Sequence, residues 1–260
     1  MVLRGTGNKI ACKKRFIRKP RLYGGFMVSF LKKYKEIILF MLAYWFLCFV
    51  MFFWDGSFLY VALSWNTFLA VLPLFFVKIA ETAWNQGRNF RSVIYILLWL
   101  FFFPNSVYVA TDFIHISGGN FMGNARTGKH LLNGGFAYGA EISAWVKILV
   151  IGIGFLFALL VGLESLYIFE KNIKRKVSKL VCYSAISAIV LLSGIGVYIG
   201  RFLRFNSWDI FLRPVNLIKQ VVTQIDRFFI QFVLIFSFFV MCNYLLYNVI
   251  FRRIIRQPDD

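Results

Sequence analysis

Four polar residues interrupt one apolar stretch of the chain: Asn105, Tyr108, Asp112 and His115, spaced three, four and three apart. At about 100° per residue, a helix carries all four within about 80° of one another. Histidine moves protons near neutral pH, and a carboxylate beside it completes an acid/base pair. Asp112 and His115 are therefore the candidate catalytic residues. A second set, Arg201, Arg204, Asn206, Trp208 and Asp209, follows a later apolar run. Guanidinium groups match the geometry of phosphate. With Asn105 and Tyr108, this set forms the candidate binding surface for an anionic head group. Asp112, His115 and Asp209 also resemble a ligand set, but no second His stands near them, so no metal and no cofactor is assigned.

The same residues have a plainer reading. Asp112 pairs with Arg201 or Arg204 and locks two helices, since buried charges persist when paired. Asn105 then bonds to backbone opened by Pro104, and Trp208 is an interfacial anchor.

The elements that must position these groups are membrane spans. Of 260 residues, 60% are hydrophobic and 32 are Phe, and the mean hydropathy is +0.70. Soluble domains are about 45–50% apolar. Apolar runs lie at about 37–54, 58–80, 93–116, 142–169, 180–199 and 228–250. Each approaches or reaches the ~20 residues needed to cross a bilayer. The fold expected is an all-α integral membrane protein, a bundle of about six transmembrane helices. The run from Pro214 to Ile225 has an apolar helical stripe and reads as an amphipathic helix in the interface before the last span. Residues 81–92 read as a polar loop. Residues 117–141, rich in Gly and Asn, read as turns and a flexible connector.

Charge sets the orientation. The net charge is +19, from 30 Lys and Arg against 11 Asp and Glu. With both termini in the cytoplasm, inner segments hold 21 basic residues and outer segments seven, as the positive-inside rule asks. Residues 1–36 form a basic cytoplasmic tail without fixed structure, with 11 Lys and Arg and one Glu, and the sequence leaves starts at Met1 and Met27 open. Residues 37–250 form the transmembrane domain and 251–260 a cytoplasmic tail. The basic segments carry no nucleic-acid reading motif, so the partner expected is membrane lipid, with an anionic head group as a possible ligand. In this topology the 105–115 and 201–209 sets emerge on the same, outer side.

Three blocks carry a family resemblance: Trp65-Asn66-Thr67-Phe68-Leu69-Ala70-Val71-Leu72-Pro73, then Phe103-Pro104-Asn105 with Tyr108, Thr111, Asp112 and His115, then Gly200 to Asp209. Together they resemble the DUF1361 family of bacterial membrane proteins. The resemblance implies a multi-pass protein of the bacterial cytoplasmic membrane and no particular activity. It also implies a Trp-Tyr-Asp block after the His. Here that region is Gly/Asn-rich, with Lys129 and His130 as its conspicuous polar groups.

Three functions follow as alternatives. The polar cluster is structural or partner-binding; or it binds or processes an anionic lipid-linked head group at the outer leaflet; or the polar face of the third span lines a path for a small solute. Whether the protein is an enzyme is left open by the residues alone. A solute path requires polar groups continuing from Asn105 toward the cytoplasmic side.

Overall fold

The computed structural model of the protein describes residues 24–116, 122–124, 136–138, 142–205 and 214–250. The chain forms two compact units, Met1–Lys35 and Glu36–Asp260. In the first, α1 (Gly24–Lys33) stands where the sequence suggested an unstructured tail. Its apolar residues explain the difference: Phe26, Phe30 and Tyr34 recur every four residues and their rings pack in series, the spacing at which helical side chains meet.

Among the described residues, six helices are long and apolar enough to cross a membrane. They are α2 (Lys35–Asp55), α3 (Leu59–Asn85), α4 (Asn89–Tyr108) with its continuation, α5 (Ile142–Ile173), α6 (Lys179–Arg201) and α8 (Arg227–Tyr247), and the amphipathic α7 (Pro214–Thr223) precedes the last of them. Their starts and stops follow local chemistry. The Ser178 hydroxyl caps α6 by accepting from the Val181 N–H, and the Asp226 carboxylate caps α8 by accepting from the Phe229 N–H. Such caps answer amides that have no partner inside the helix.

The expected loop at 81–92 is shorter than its polarity suggested. α3 runs on to Asn85 and α4 begins at Asn89. Only Gln86, Gly87 and Arg88 turn the chain, with Gly87 at φ 74°. Helices satisfy their own backbone, so extending them past the apolar core is the stable choice near lipid. In the Gly/Asn-rich region, Met122–Asn124 pairs antiparallel with Phe136–Tyr138, a short hairpin where only turns were expected.

α4 lies at the centre, packed on α3, α5 and α6, while α8 packs on α6 and α5. Small residues allow this closeness. A Cβ on Gly162 of α5 would stand 2.5 Å from the Ser106 Cβ of α4, and one on Gly196 of α6 would stand 2.8 Å from the Pro104 Cγ. Polar groups inside the bundle are answered across helices. Ser106 donates to the Ala70 carbonyl at 3.1 Å, and the Trp99 indole donates to Ser165 at 3.1 Å. The Tyr244 and Tyr247 hydroxyls of α8 donate to Glu170 and Glu164 of α5. Hydrocarbon offers no replacement partner, so these bonds are part of what selects the packing.

Gly162→Ala is expected to push α4 from α5 and lower the melting temperature in detergent by an amount equivalent to about 1–3 kcal/mol. Gly152→Ala, where nothing lies within 4 Å of the added Cβ, is expected to show no loss. Equal melting temperatures for the two variants would contradict the close α4–α5 packing.

Candidate functional site

The α-helix of α4 does not continue through His115. At Val109 it tightens into a 3-10 helix, Val109–Ile116. Its narrower turn redistributes the expected polar face. Asp112 is buried at 3% exposure, whereas His115 is exposed. Asn105 and Tyr108, still on the α-helix, face a groove. The single acid/base face drawn from a continuous helix is therefore split in three.

Arg201, the last residue of α6, reaches this tightened end. Its Nη2 lies 3.1 Å from Asp112 Oδ1 and also donates to the Thr111 carbonyl, and its Nε donates to Thr111 Oγ1 at 3.0 Å. The Thr111 hydroxyl in turn donates to the Tyr108 carbonyl at 2.7 Å. Carbonyls at a helix end lack intrahelical partners, and a basic side chain is a natural donor to them. From α3, the Asn66 amide donates to Asp112 Oδ2 at 2.9 Å. Both carboxylate oxygens are thus engaged, one from α6 and one from α3. The guanidinium also sits 5.1 Å from the Tyr108 ring centroid, within cation–π range. Gly200 admits that ring, since a Cβ there would stand 3.2 Å from it.

Arg204 is placed differently. α6 ends at Arg201, so Arg204 does not continue its helix. Arg204 is exposed, with a left-handed backbone at φ 56°. Asn206, Trp208 and Asp209 lie outside the described residues. The Asn105 amide makes no hydrogen bond among the described residues, so the expected bond to backbone near Pro104 is not seen there. Gly196 packs against Pro104 instead.

A groove of about 500 Å³ opens beside the pair, between α3, α4 and α6. Its polar side chains, Trp65, Asn66, Asn105 and Tyr108, gather at the end next to Asp112 and Arg201. Further along α4 the lining is Phe101, Leu100 and Leu97. At the same end of the bundle a second ion pair joins Lys147 of α5 to Asp55 of α2 at 3.0 Å, with the Tyr60 hydroxyl of α3 donating to Asp55 at 3.3 Å.

Thr111 stands in the sequence's polar cluster and Asn66 toward the same side of the membrane, but neither was assigned a role in the site; the structure bonds Asn66 to Asp112 and Thr111 to Arg201. The Lys147–Asp55 pair was missed because Lys147 reads as a lone charge in a span. Among the described residues, no three His, Cys, Asp or Glu side chains gather as metal ligands would.

A family model described as "Protein of unknown function (DUF1361)" matches residues 65–242. That range contains α4, α5, α6, both partners of the Asp112–Arg201 pair and the whole groove. No curated protein and no solved structure matches the chain.

Asp112→Asn and Arg201→Gln are each expected to destabilise the protein by about 3 kcal/mol, the lower end for breaking a buried pair because Arg201 keeps 17% of its side chain exposed. The double variant is expected to recover part of that loss in a thermal double-mutant cycle. Additive losses would mean that the two side chains do not interact.

Proposed function

We propose that this chain, which belongs to the DUF1361 family, is a multi-pass membrane protein that binds one lipid in the α3/α4/α6 groove, with the Asp112–Arg201 pair as the fixture that shapes the groove's polar end. The observation that carries this reading is the distribution of polar groups. Two amides and a phenol stand at one end of an otherwise apolar trough. Lipid chains need an apolar wall, and a head group needs donors and acceptors that water does not already satisfy. The lining has no charged side chain. Recognition there works through hydrogen bonds, which suit hydroxyl and ester groups.

Binding fits this geometry better than turnover or solute transport. Asp112 has both oxygens engaged, and His115 is exposed in the last turn of the 3-10 helix. A solute path would need polar groups past Asn105, where α4 instead presents Phe101, Leu100 and Leu97. One observation favours a second reading in which the head group is anionic: Arg204 is exposed just past α6, where it can meet a phosphate. In either reading the basic segments 1–36, 81–92, 170–179 and 251–260 lie in the cytoplasm of a bacterial cell, and the groove's polar end lies at the outer leaflet. Residues 37–250 then form the membrane domain, and α7 lies in the interface.

The test is a melting screen of purified protein in detergent with dioleoylglycerol, dioleoyl-phosphatidylglycerol and a polyprenyl phosphate. A lipid at a hundredfold over its dissociation constant is expected to add about 2.7 kcal/mol. Asn105→Leu is expected to abolish that gain while melting like wild type without lipid. Stabilisation by the phosphate alone, lost in Arg204→Ala, would select the anionic reading. Undiminished stabilisation of Asn105→Leu by every lipid would overturn the groove as the binding site.

A further inference from the structure

A second cavity, of about 400 Å³, lies at the other end of α4, where the α3–α4 turn meets the end of α5. Its inner wall is apolar, including Val93, Ile96, Leu97 and Phe169. Val93 and Leu97 are exposed on the side of the bundle, so the cavity opens toward lipid. Polar groups stand at its mouth: Glu81 in the last turns of α3, which is paired with Lys78, Asn89 at the start of α4, Asn172 at the end of α5 and Lys176 just past it. Ser92 also lines the cavity but is buried and donates to the Ala80 carbonyl. Lys176 is held there, its Nζ 3.7 Å from the centroid of the Trp84 ring. A cation over an aromatic face is attracted to it, and this one is fixed where a head group would sit.

The two segments that frame the mouth, 81–92 and 170–179, hold seven basic and two acidic residues. Both acids are already paired, Glu81 with Lys78 and Glu170 with Lys174. Arg88, Arg91, Lys171, Arg175, Lys176 and Lys179 are left with no carboxylate partner among the described residues. Membrane topology alone asks that such segments be basic. It does not ask for an apolar cavity beneath them or for a lysine stacked at its mouth.

We infer that this cavity is a binding site for one anionic phospholipid, its acyl chain between α4 and α5 and its phosphate at Lys176. Basic pockets between spans are suited to such head groups. The spacing agrees. Asn89 and Tyr108, nineteen residues apart on α4, are about 28 Å apart at 1.5 Å per residue, close to the hydrocarbon thickness of a bilayer. The cavity mouth therefore stands at the head-group level opposite the α3/α4/α6 groove, and Leu97 lines both.

The experiment is native mass spectrometry of the full chain in detergent, titrated with dioleoyl-phosphatidylglycerol and, separately, dioleoyl-phosphatidylcholine. The wild type is expected to hold the anionic lipid about tenfold more tightly. Lys176→Gln is expected to reduce that preference about fivefold, the worth of one basic side chain at an anionic surface. Val93→Trp, which fills the cavity from its exposed wall, is expected to remove the lipid held in this cavity, and with it the anionic preference, without lowering the melting temperature. Asn105→Leu, at the opposite groove, is expected to leave the preference intact. Equal binding of the two lipids would overturn the inference. So would a preference that survives both Lys176→Gln and Val93→Trp, or one that Asn105→Leu alone removes.

Discussion

A carboxylate taken out of water at the end of a membrane bundle is stable only against a cation that shares its burial. Desolvating either ion alone costs several kcal/mol, which their attraction repays only with good geometry and further hydrogen bonds. Asp112 and Arg201 meet those conditions. The carboxylate is bonded through one oxygen to α6 and through the other to Asn66 of α3. The guanidinium also donates to Thr111, through Nε to its hydroxyl and through Nη2 to its carbonyl. Much of the local structure answers to this pair. The end of α4 tightens into a 3-10 turn that presents Thr111 and Asp112 together. Gly200 lets the Tyr108 ring lie against α6, and α6 stops at the residue that makes the contact.

That fixture gives the adjoining groove its shape. With α6 held to the end of α4 and to α3 through Asp112, the trough between the three helices ends in amides and a phenol instead of closing on Phe and Leu. The charges are internally matched, so the groove presents hydrogen-bonding groups and no net charge. At the other end of α4 the logic reverses: the carboxylates are paired and the surplus is cationic. One helix thus carries a neutral polar terminus and a basic one, separated by apolar wall of bilayer thickness. The two lipid sites proposed above draw on these two chemistries at the opposite ends of one helix.

The architecture was largely legible in the residues. Apolar runs alone place six spans within a few residues of their ends, because a helix in hydrocarbon must be long and must satisfy its own backbone. The partnership of the 105–115 and 201 motifs was legible as two alternatives, Arg201 or Arg204, and geometry selects Arg201. The angular reading failed at Val109. A 100° step holds only while the helix is α, and the 3-10 segment is where Arg201, 89 residues from Asp112, makes its bonds. Asn66 was legible as a polar group toward the same side of the membrane, but its partner was not: the carboxylate that accepts from it is 46 residues away. Cavities have no sequence signature at all. Leu97 belongs to two of them and reads as an ordinary lipid-facing leucine.

The central claim is that the ion pair builds a lipid site beside itself. A cryo-electron microscopy map of the wild-type protein in lipid nanodiscs tests it most directly. The account expects elongated density along Leu97, Leu100 and Phe101 that ends at Asn66 and Asn105, with the Arg201 guanidinium still on Asp112. An empty groove closed by α6 packing onto α4, or Arg201 turned away from Asp112 toward solvent, would contradict it.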